Sequence, residues 1–365
     1  MNTKYWVAFS SIEELDSIFI HSLFEYFGDI KSAFEAPKNE LVKVPDVLKA
    51  KVDKFLEKRK NLDIEKTYDE VIKRDIKILT FEDERYPELL KNISNPPMVL
   101  YYKGDLFSCN LKKTVAVVGS RRFSYNGRDS LKKVMSGLNR TDMCIVSGLA
   151  SGADTEAHKL ALENHLKTIG VIACGFDYVY PTSNKRLYEE IINGNGAVIT
   201  EYYPTFMPLK FRFPQRNRIV SGLSYGTLVA EAALHSGALI TANLTLEQGR
   251  ELMCIPGLIS NPNTEGIYKL LKTGASIVTN SNDILDCLNW STPVQKTLFD
   301  IKNEENDNFT IDEKKILYTI DIEPKSFDEI QKETGFDVDD LLTILTTLEL
   351  KGAIEQTLGD RYKQK

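Results

Sequence analysis

The sequence predicts an α/β protein: a doubly wound, mainly parallel sheet, preceded by a small helical domain and followed by a winged helix. Three observations carry this. Between Lys77 and Thr279 short apolar β-forming runs alternate with stretches of helical spacing, whereas residues 10–60 show helical spacing alone. After a polar, acidic, proline-containing stretch the chain resumes as helix, helix, helix and two strands. Strands alternating with helices imply βαβ crossovers, and hence a parallel sheet covered on both faces.

In chain order, Ile12, Leu15, Ile18 and Phe19 begin the helical pattern, and His21–Phe27, Ser32–Phe34 and Asn39–Val42 continue it. LEKRKNLDIEK reads as a charged surface helix, which closes a domain over residues 1–75. Within residues 76–290 the strands are IKILTF, VLYYKGD, TVAVVGS, MCIVSG, TIGVIACG, AVITEY, TLVAEA, LMCIPG and SIVT. The helices between them are placed at 128–138, 154–165, 185–192, 242–248 and 266–272. STPVQKTLFDIKNEENDN, residues 291–308, has the composition of a linker. KKILYTI, SFDEIQKETG, DVDDLLTILTTLELKG and AIEQTLGDRYKQ then follow winged helix-turn-helix order over residues 309–365.

A chain of 365 residues with 42% hydrophobic and 27% charged residues has ordinary globular usage and room for two or three domains. No run approaches the roughly 18 apolar residues a bilayer span needs. The start, MNTKYWVAFSSIEELD, lacks the apolar region of a cleavable signal, so a cytoplasmic location is expected. The five cysteines are scattered without C-x-x-C, which indicates neither a disulfide framework nor a zinc site. The net charge of −6 hides a segregation: residues 76–290 carry 23 Lys/Arg against 20 Asp/Glu, and residues 309–365 carry 8 against 13.

Ligands of a doubly wound sheet sit beyond the carboxyl ends of its strands. There VAVVGSRRFSYNG places Gly119, Ser120 and Arg121 straight after a strand. Glycine lets backbone N–H groups approach an anion, serine adds a hydroxyl, arginine adds a two-pronged phosphate grip, and the following helix would aim its positive end at the same point. Ser147 and Gly148 follow the next strand, and Gly175 and Asp177 the one after. G-x-G-x-x-G is absent from this turn and G-x-x-x-x-G-K-[ST] from the chain, which disfavours NAD and ATP; no cofactor is expected. In FMPLKFRFPQRNRIVSGLS, Lys210, Arg212, Arg216 and Arg218 interleave with Phe206, Phe211 and Phe213. Charge for a backbone and flat rings for splayed bases suit single-stranded nucleic acid.

With these residues in view the chain resembles the DprA/Smf family of DNA-processing proteins. The resemblance rests on RYPELL, PPMVLYYKGD, VAVVGSRRFSYNG, IVSGLASGADTEAH, GVIACGFDYVYPTSNKRLYEEI, FPQRNRIVSGLS, EAALHSGALITANLTLEQGRELMCIPG and GIYKLLKTGASIVT, in order across roughly residues 75–280. LFEYFGDIKSAFEAPKNELVKVPDV resembles the helix-hairpin-helix or sterile-alpha-motif-like region that often precedes this core. The resemblance implies an extended Rossmann-like fold that binds single-stranded DNA, forms a homodimer through this domain, and loads the RecA recombinase during natural transformation. It places the phosphate pocket on Gly119, Ser120, Arg121, Ser147 and Gly148, the gripping lysine on Lys210 and the stacking ring on Phe213, with Asn217 and Arg218 beside them. It implies no catalytic residue and no metal.

Other residues read as structural: Asp154 as a helix N-cap, His158 as a packing residue on the same helix, Glu201 and Glu231 as strand-end carboxylates. One departure is YGTLVAEA, where the family more often leads the strand with an acidic residue; G-T-x-x-E is similar to nucleotide phosphoribohydrolases, although their preceding P-G-G is missing. A hydrolase acting on nucleoside monophosphates, using Arg218 and Glu231, is therefore the alternative reading. The helix GIYKLLKTG is expected to expose Tyr268 and Leu271 for the dimer. The third winged-helix segment opens FDVDDLL, whose carboxylates oppose direct DNA reading and suit protein contacts.

Overall fold

The computed structural model of the chain describes residues 2–139, 141–290, 309–320, 324–357 and 361–364. They fall into two compact units divided after Ser291. The expected linker, 291–308, lies outside the described residues.

The first unit is organised by nine strands: β1 (Lys77–Thr80), β2 (Val99–Gly104), β3 (Thr114–Val118), β4 (Cys144–Ser147), β5 (Lys167–Val171), β6 (Gly196–Thr200), β7 (Gly226–Val229), β8 (Glu251–Cys254) and β9 (Ser276–Ile277). Their order is β1-β2-β6-β5-β4-β3-β7-β8-β9. Pairing is parallel from β6 to β9 and antiparallel at β1–β2 and β2–β6. The extended, mainly parallel sheet is thus as the sequence predicts. Its direction of growth reverses between β3 and β7, where Val115 pairs with Gly226, and such a switch point opens a crevice at the strands' carboxyl ends.

Strand alternation explains why both faces are covered. Val115 and Val117 of β3 pack with Leu131 and Met135 of α8 (Tyr125–Ser136) and Ala157 and Leu160 of α9 (Ala153–Glu163). Ala116 and Val118 belong to the opposite core, with Ile219 and Val220 of α11 (Arg212–Gly222), Ala242 of α12 (Gly237–Glu247) and Ile267 of α13 (Glu265–Lys272). A strand buried on both faces needs a continuous apolar run, which TVAVV supplies.

Residues 2–75 form a helical layer that includes α1 (Thr3–Ser10), α2 (Ser17–Phe27), α3 (Ile30–Glu35) and α5 (Lys49–Lys60). Asp16 caps α2 by accepting from the Phe19 N–H at 2.9 Å, and Gly28 ends it with φ 69°, a left-handed value that glycine adopts without strain. Trp6, Phe9, Phe19, Phe34 and Phe55 build the layer's core, which continues into Val99 and Tyr101 of β2 and into Tyr203. Residues 1–291 accordingly make one compact unit, with helical layer and sheet sharing apolar surface.

The second unit contains α15 (Ile311–Thr319), β10 (Lys325–Ser326), α16 (Phe327–Thr334), α17 (Val338–Leu350), β11 (Ile354–Thr357) and β12 (Arg361–Gln364), with strand order β10-β12-β11. Capping boxes at Thr310/Glu313 and Ser326/Glu329 start two of its helices. Ile316, Ile330, Leu341, Leu345 and Ile354 give it its own core. This is the expected winged-helix order.

Helix α11 is an element the sequence pattern did not reveal. Pro214 sits in its first turn, where a missing N–H removes no intrahelical bond. Arg218 leaves this helix toward Glu201, just after β6, in a two-pronged ion pair at 2.6 and 2.7 Å; Ser17 donates to the same carboxylate, and Arg218 Nε donates to the Asn95 carbonyl. The two side chains are 11% and 12% exposed, so removing one charge leaves the other largely buried without its partner. Glu201→Gln is expected to destabilise the first unit by about 3 kcal/mol or more, seen as a lower urea midpoint with an unchanged slope.

Candidate nucleic-acid interface

A cleft of about 630 Å³ opens at the carboxyl ends of β3, β4 and β7, lined among others by Gly119, Ser120, Arg121, Gly148, Lys210, Phe213, Arg216 and Asn217. Helical geometry places four of the lining residues. Phe213, Arg216, Asn217 and Val220 lie at i, i+3, i+4 and i+7 of α11, one continuous face. The other face, Arg212, Gln215 and Arg218, borders a separate cavity of about 400 Å³ against the helical layer. The cations of LKFRFPQRNR therefore do not act together.

Their environments differ accordingly. Arg212 is 2% exposed, donates to Glu13 and to the Met207 carbonyl, and is ringed by Tyr202, Phe206 and Phe211 at 4.9–5.6 Å. Arg218 is held by Glu201. Arg216, 3% exposed, donates to the Val171 carbonyl, and its Nε has no hydrogen-bond partner among the described residues. A Cβ on Gly148 would collide with the Arg216 guanidinium, so only glycine leaves room for it. Burial lowers the Arg216 pKa and raises that of Asp154, and the attraction between the two charges opposes both shifts. Sequence reasoning noted Arg216 among the cations but did not place it in the site. The helical spacing Phe213, Arg216, Asn217 was the signal that could have found it.

The turn after β3 is built differently from expectation. Gly119 is required because a Cβ there would lie 2.7 Å from the Ala153 Cβ. The Ser120 N–H donates to the Glu231 carbonyl at 2.8 Å, and the Arg122 N–H to Ser120 Oγ at 3.1 Å, so neither amide is open to an anion. The Ser120 hydroxyl hydrogen and the Arg121 side chain are among the groups that remain at this wall of the cleft. The helix that follows, α8, lends its first turn to another cavity; Ser236, Gly237 and Ala238, at the start of α12, line the cleft instead. Ser236 Oγ caps that helix by accepting from the Ala238 N–H. Arg121 lies 5.3 Å from the centre of the Phe213 ring, and Tyr180, 48% exposed, meets the same ring edge-on at 5.3 Å. Flat surface and positive charge thus meet at one point, as stacked bases and a phosphate would require.

Ser147 and Arg218 take no part in the lining. Ser147 is fully buried and donates to the Val117 carbonyl at 2.6 Å, bracing β4 against β3. With Arg218 locked to Glu201, and Glu231 bound at Oε2 by Ser124, the two groups proposed for a hydrolase stand in different cavities. Asp154 lies in the first turn of α9, where Gly152 is the cap; the carboxylate accepts from the Ala150 N–H at 3.4 Å. Tyr268 and Leu271 are both half-buried, Tyr268 donating to the Gly257 carbonyl and Leu271 packing on the core, so α13 does not offer them as a free apolar stripe. His158 is fully buried, with Nδ1 2.7 Å from Thr168 Oγ1, and the desolvation of its charged form pushes its pKa down to about 3.

Fold and site together define a Rossmann-like protein with a cationic, aromatic-lined cleft at its switch point and an appended winged helix, the class that grips polyanionic strands. The chain matches the family described as DNA recombination-mediator protein A over residues 77–289 and the DprA winged helix domain over residues 304–360. It is 47% identical over 203 residues to DNA processing protein DprA of Streptococcus pneumoniae, 56% of this chain and 71% of that one. It is 30% identical to Protein Smf of Synechocystis over 99% of this chain and 98% of the other. The X-ray structure of the pneumococcal protein superposes with a TM-score of 0.67 at 38% identity, covering 77% of this chain and 95% of that one. A structure concerned with single-stranded DNA binding by DNA processing protein A of Helicobacter pylori gives 0.53 at 30% identity, covering 58% and 95%. The chain belongs to the DNA recombination-mediator protein A family, known as DprA or Smf.

Because the folded pKa of His158 lies near 3 and the ordinary value is 6.5, the unfolded chain takes up that proton first as pH falls. The contribution of His158 is complete above pH 6.5 and drains away as pH drops toward 3. Imidazole resonances followed by NMR from pH 8 to 5 are expected to show His158 remaining neutral.

Proposed function

We propose that this chain binds single-stranded DNA across the carboxyl edge of its sheet and delivers it to the RecA recombinase during DNA uptake. The observation that carries the reading is the convergence of Phe213, Arg121, Lys210 and Arg216 on one cleft. A phosphate is gripped by the Ser120 hydroxyl, Arg121 and Arg216, Lys210 holds the neighbouring backbone, and Phe213 with Tyr180 supports a base. Nothing in this grip reads a base edge, so it is sequence-tolerant. The H. pylori relative, whose single-stranded DNA binding has been treated structurally, supports the same ligand here.

The placement of Arg218 and Glu231 in two different cavities supports binding over the hydrolase reading. Delivery to RecA, cytoplasmic location and assembly as a homodimer through the Rossmann-like core rest on family membership. Among the described residues no helix is long and apolar enough to cross a membrane. The winged helix opens α17 with Asp339 and Asp340 in the first turn, which supports protein contacts over DNA contacts.

A gel-shift comparison of single- and double-stranded DNA, with a nucleoside monophosphate hydrolysis assay beside it, tests the reading; binding of neither DNA, or turnover, overturns it. Phe213→Ala is expected to weaken binding by roughly 1–3 kcal/mol, equally for different sequences. Arg121→Ala or Lys210→Ala should flatten the plot of log affinity against log salt by roughly 0.7 for each phosphate no longer gripped. An unchanged slope would place the strand elsewhere.

A further inference from the structure

The positive rim of the cleft does not end at Arg121. Between Arg121 and Lys133 five cations stand against one carboxylate, Asp129, in a chain whose net charge is −6. Arg121 and Arg122 line the cleft. Helix α8 carries the rest: Tyr125, Arg128 and Lys132, at i, i+3 and i+7, share one exposed face with Lys133 at its edge, while Leu131, Val134 and Met135 turn into the core. At roughly 1.5 Å per residue, Tyr125 to Lys132 spans about 10 Å. Asp129 lines the neighbouring cavity with Ser124 and Gly127, so its charge borders this face.

Among the described residues Arg122, Arg128, Lys132 and Lys133 make no ion pair, whereas Lys4, Lys38, Lys51 and Lys58 of the helical layer meet Glu65, Asp53, Asp16 and Glu14. The charges also work against their own helix. Arg128 and Lys132 are like charges at i, i+4, and α8 has no acidic residue in its first turn, where α9 has Asp154 and Glu156. Tyr125 is 82% exposed, and its ring meets no other ring among the described residues. Cations that cost the free protein stability, with an open ring beside them and a cationic cleft at one end, complement a polyanion that carries flat bases. We propose that α8 holds a second segment of the strand: single-stranded DNA leaving the cleft past Arg121 and Arg122 stacks a base on Tyr125 and lays its phosphates along Arg128 and Lys132. This rests on the single-stranded DNA reading and lengthens the footprint by about three nucleotides, at roughly 3.4 Å for each stacked one. Phosphate and ring-face contacts read no base edge, so the extension is sequence-tolerant as well.

The test uses the full chain with labelled oligo(dT) of about 4 and about 20 nucleotides, followed by fluorescence anisotropy across a salt series. Arg128→Ala combined with Lys132→Ala should flatten the plot of log affinity against log salt for the long oligomer by roughly 1.4, about 0.7 for each phosphate released. The short oligomer occupies the cleft alone, and its affinity should stay within about twofold. Tyr125→Ala should weaken the long oligomer at least about fivefold and leave the short one unchanged. Lys54→Ala combined with Lys60→Ala removes the same charge from α5 and should alter neither length. All five side chains are exposed and alanine favours helix, so the variants are expected to fold. An equal effect of the α5 and α8 pairs on the long oligomer, or equal losses at both lengths from the α8 pair, overturns the proposal. Arg121→Ala separates the two readings, since it should weaken both lengths. If neither length responds to it while the α8 variants still weaken the long oligomer, the cleft reading fails and the face of α8 stands; wild type that binds neither length ends both.

Discussion

A buried guanidinium must be neutralised, and helix α11 carries three of them within seven residues. Arg212 and Arg218, on the side away from the cleft, meet Glu13 and Glu201 and become structural rivets. Arg216 faces the cleft, donating to the Val171 carbonyl and with Asp154 as an electrostatic neighbour. Of the three, Arg216 is the one that lines the cleft, and among the described residues it has no carboxylate within ion-pair distance. Packing assigns these roles, since the same residue type supplies all three.

The rivets also explain why the helical layer belongs with the sheet. Glu13 precedes α2, and Ser17 in its first turn adds a bond to Glu201, so the layer holds α11 from behind while the helix presents Phe213 and Arg216 in front. The lining of the cleft and the packing of the helical layer thus share one element. Disturbing either rivet should be felt in the cleft, because Arg212 lies between Lys210 and Phe213 in the chain.

Close approach of backbones is the second constraint, and glycine meets it twice. Gly119 lets the turn after β3 press on α9, and Gly148 lets Arg216 lie over the end of β4. Both glycines were selected from sequence as anion-binding residues. Their structural service is to admit neighbouring groups, while Ser120, Arg121 and Arg216 line the cleft itself.

The strands, the doubly wound order, the winged helix and the stretch of chain around the cleft were legible in the sequence, because strand alternation, capping residues and the motifs following each strand are local signals. Gly119, Ser120, Arg121 and Gly148 follow from the strand ends, the family resemblance assigns Lys210 and Phe213 and adds Asn217, and the fold brings all of them together. Other assignments waited for the packed molecule. LKFRFPQRNR alternates like an extended segment, and only packing against β5 and the helical layer shows that it enters a helix whose two faces divide its arginines. Ser147 looked open because it ends a strand, but parallel pairing on both sides buried it. The pairing of Arg218 with Glu201 joins residues on α11 and beyond β6, and the bonds from Ser124 to Glu231 join residues 107 apart in the chain. Such pairings depend on distances across the fold, which no local spacing encodes.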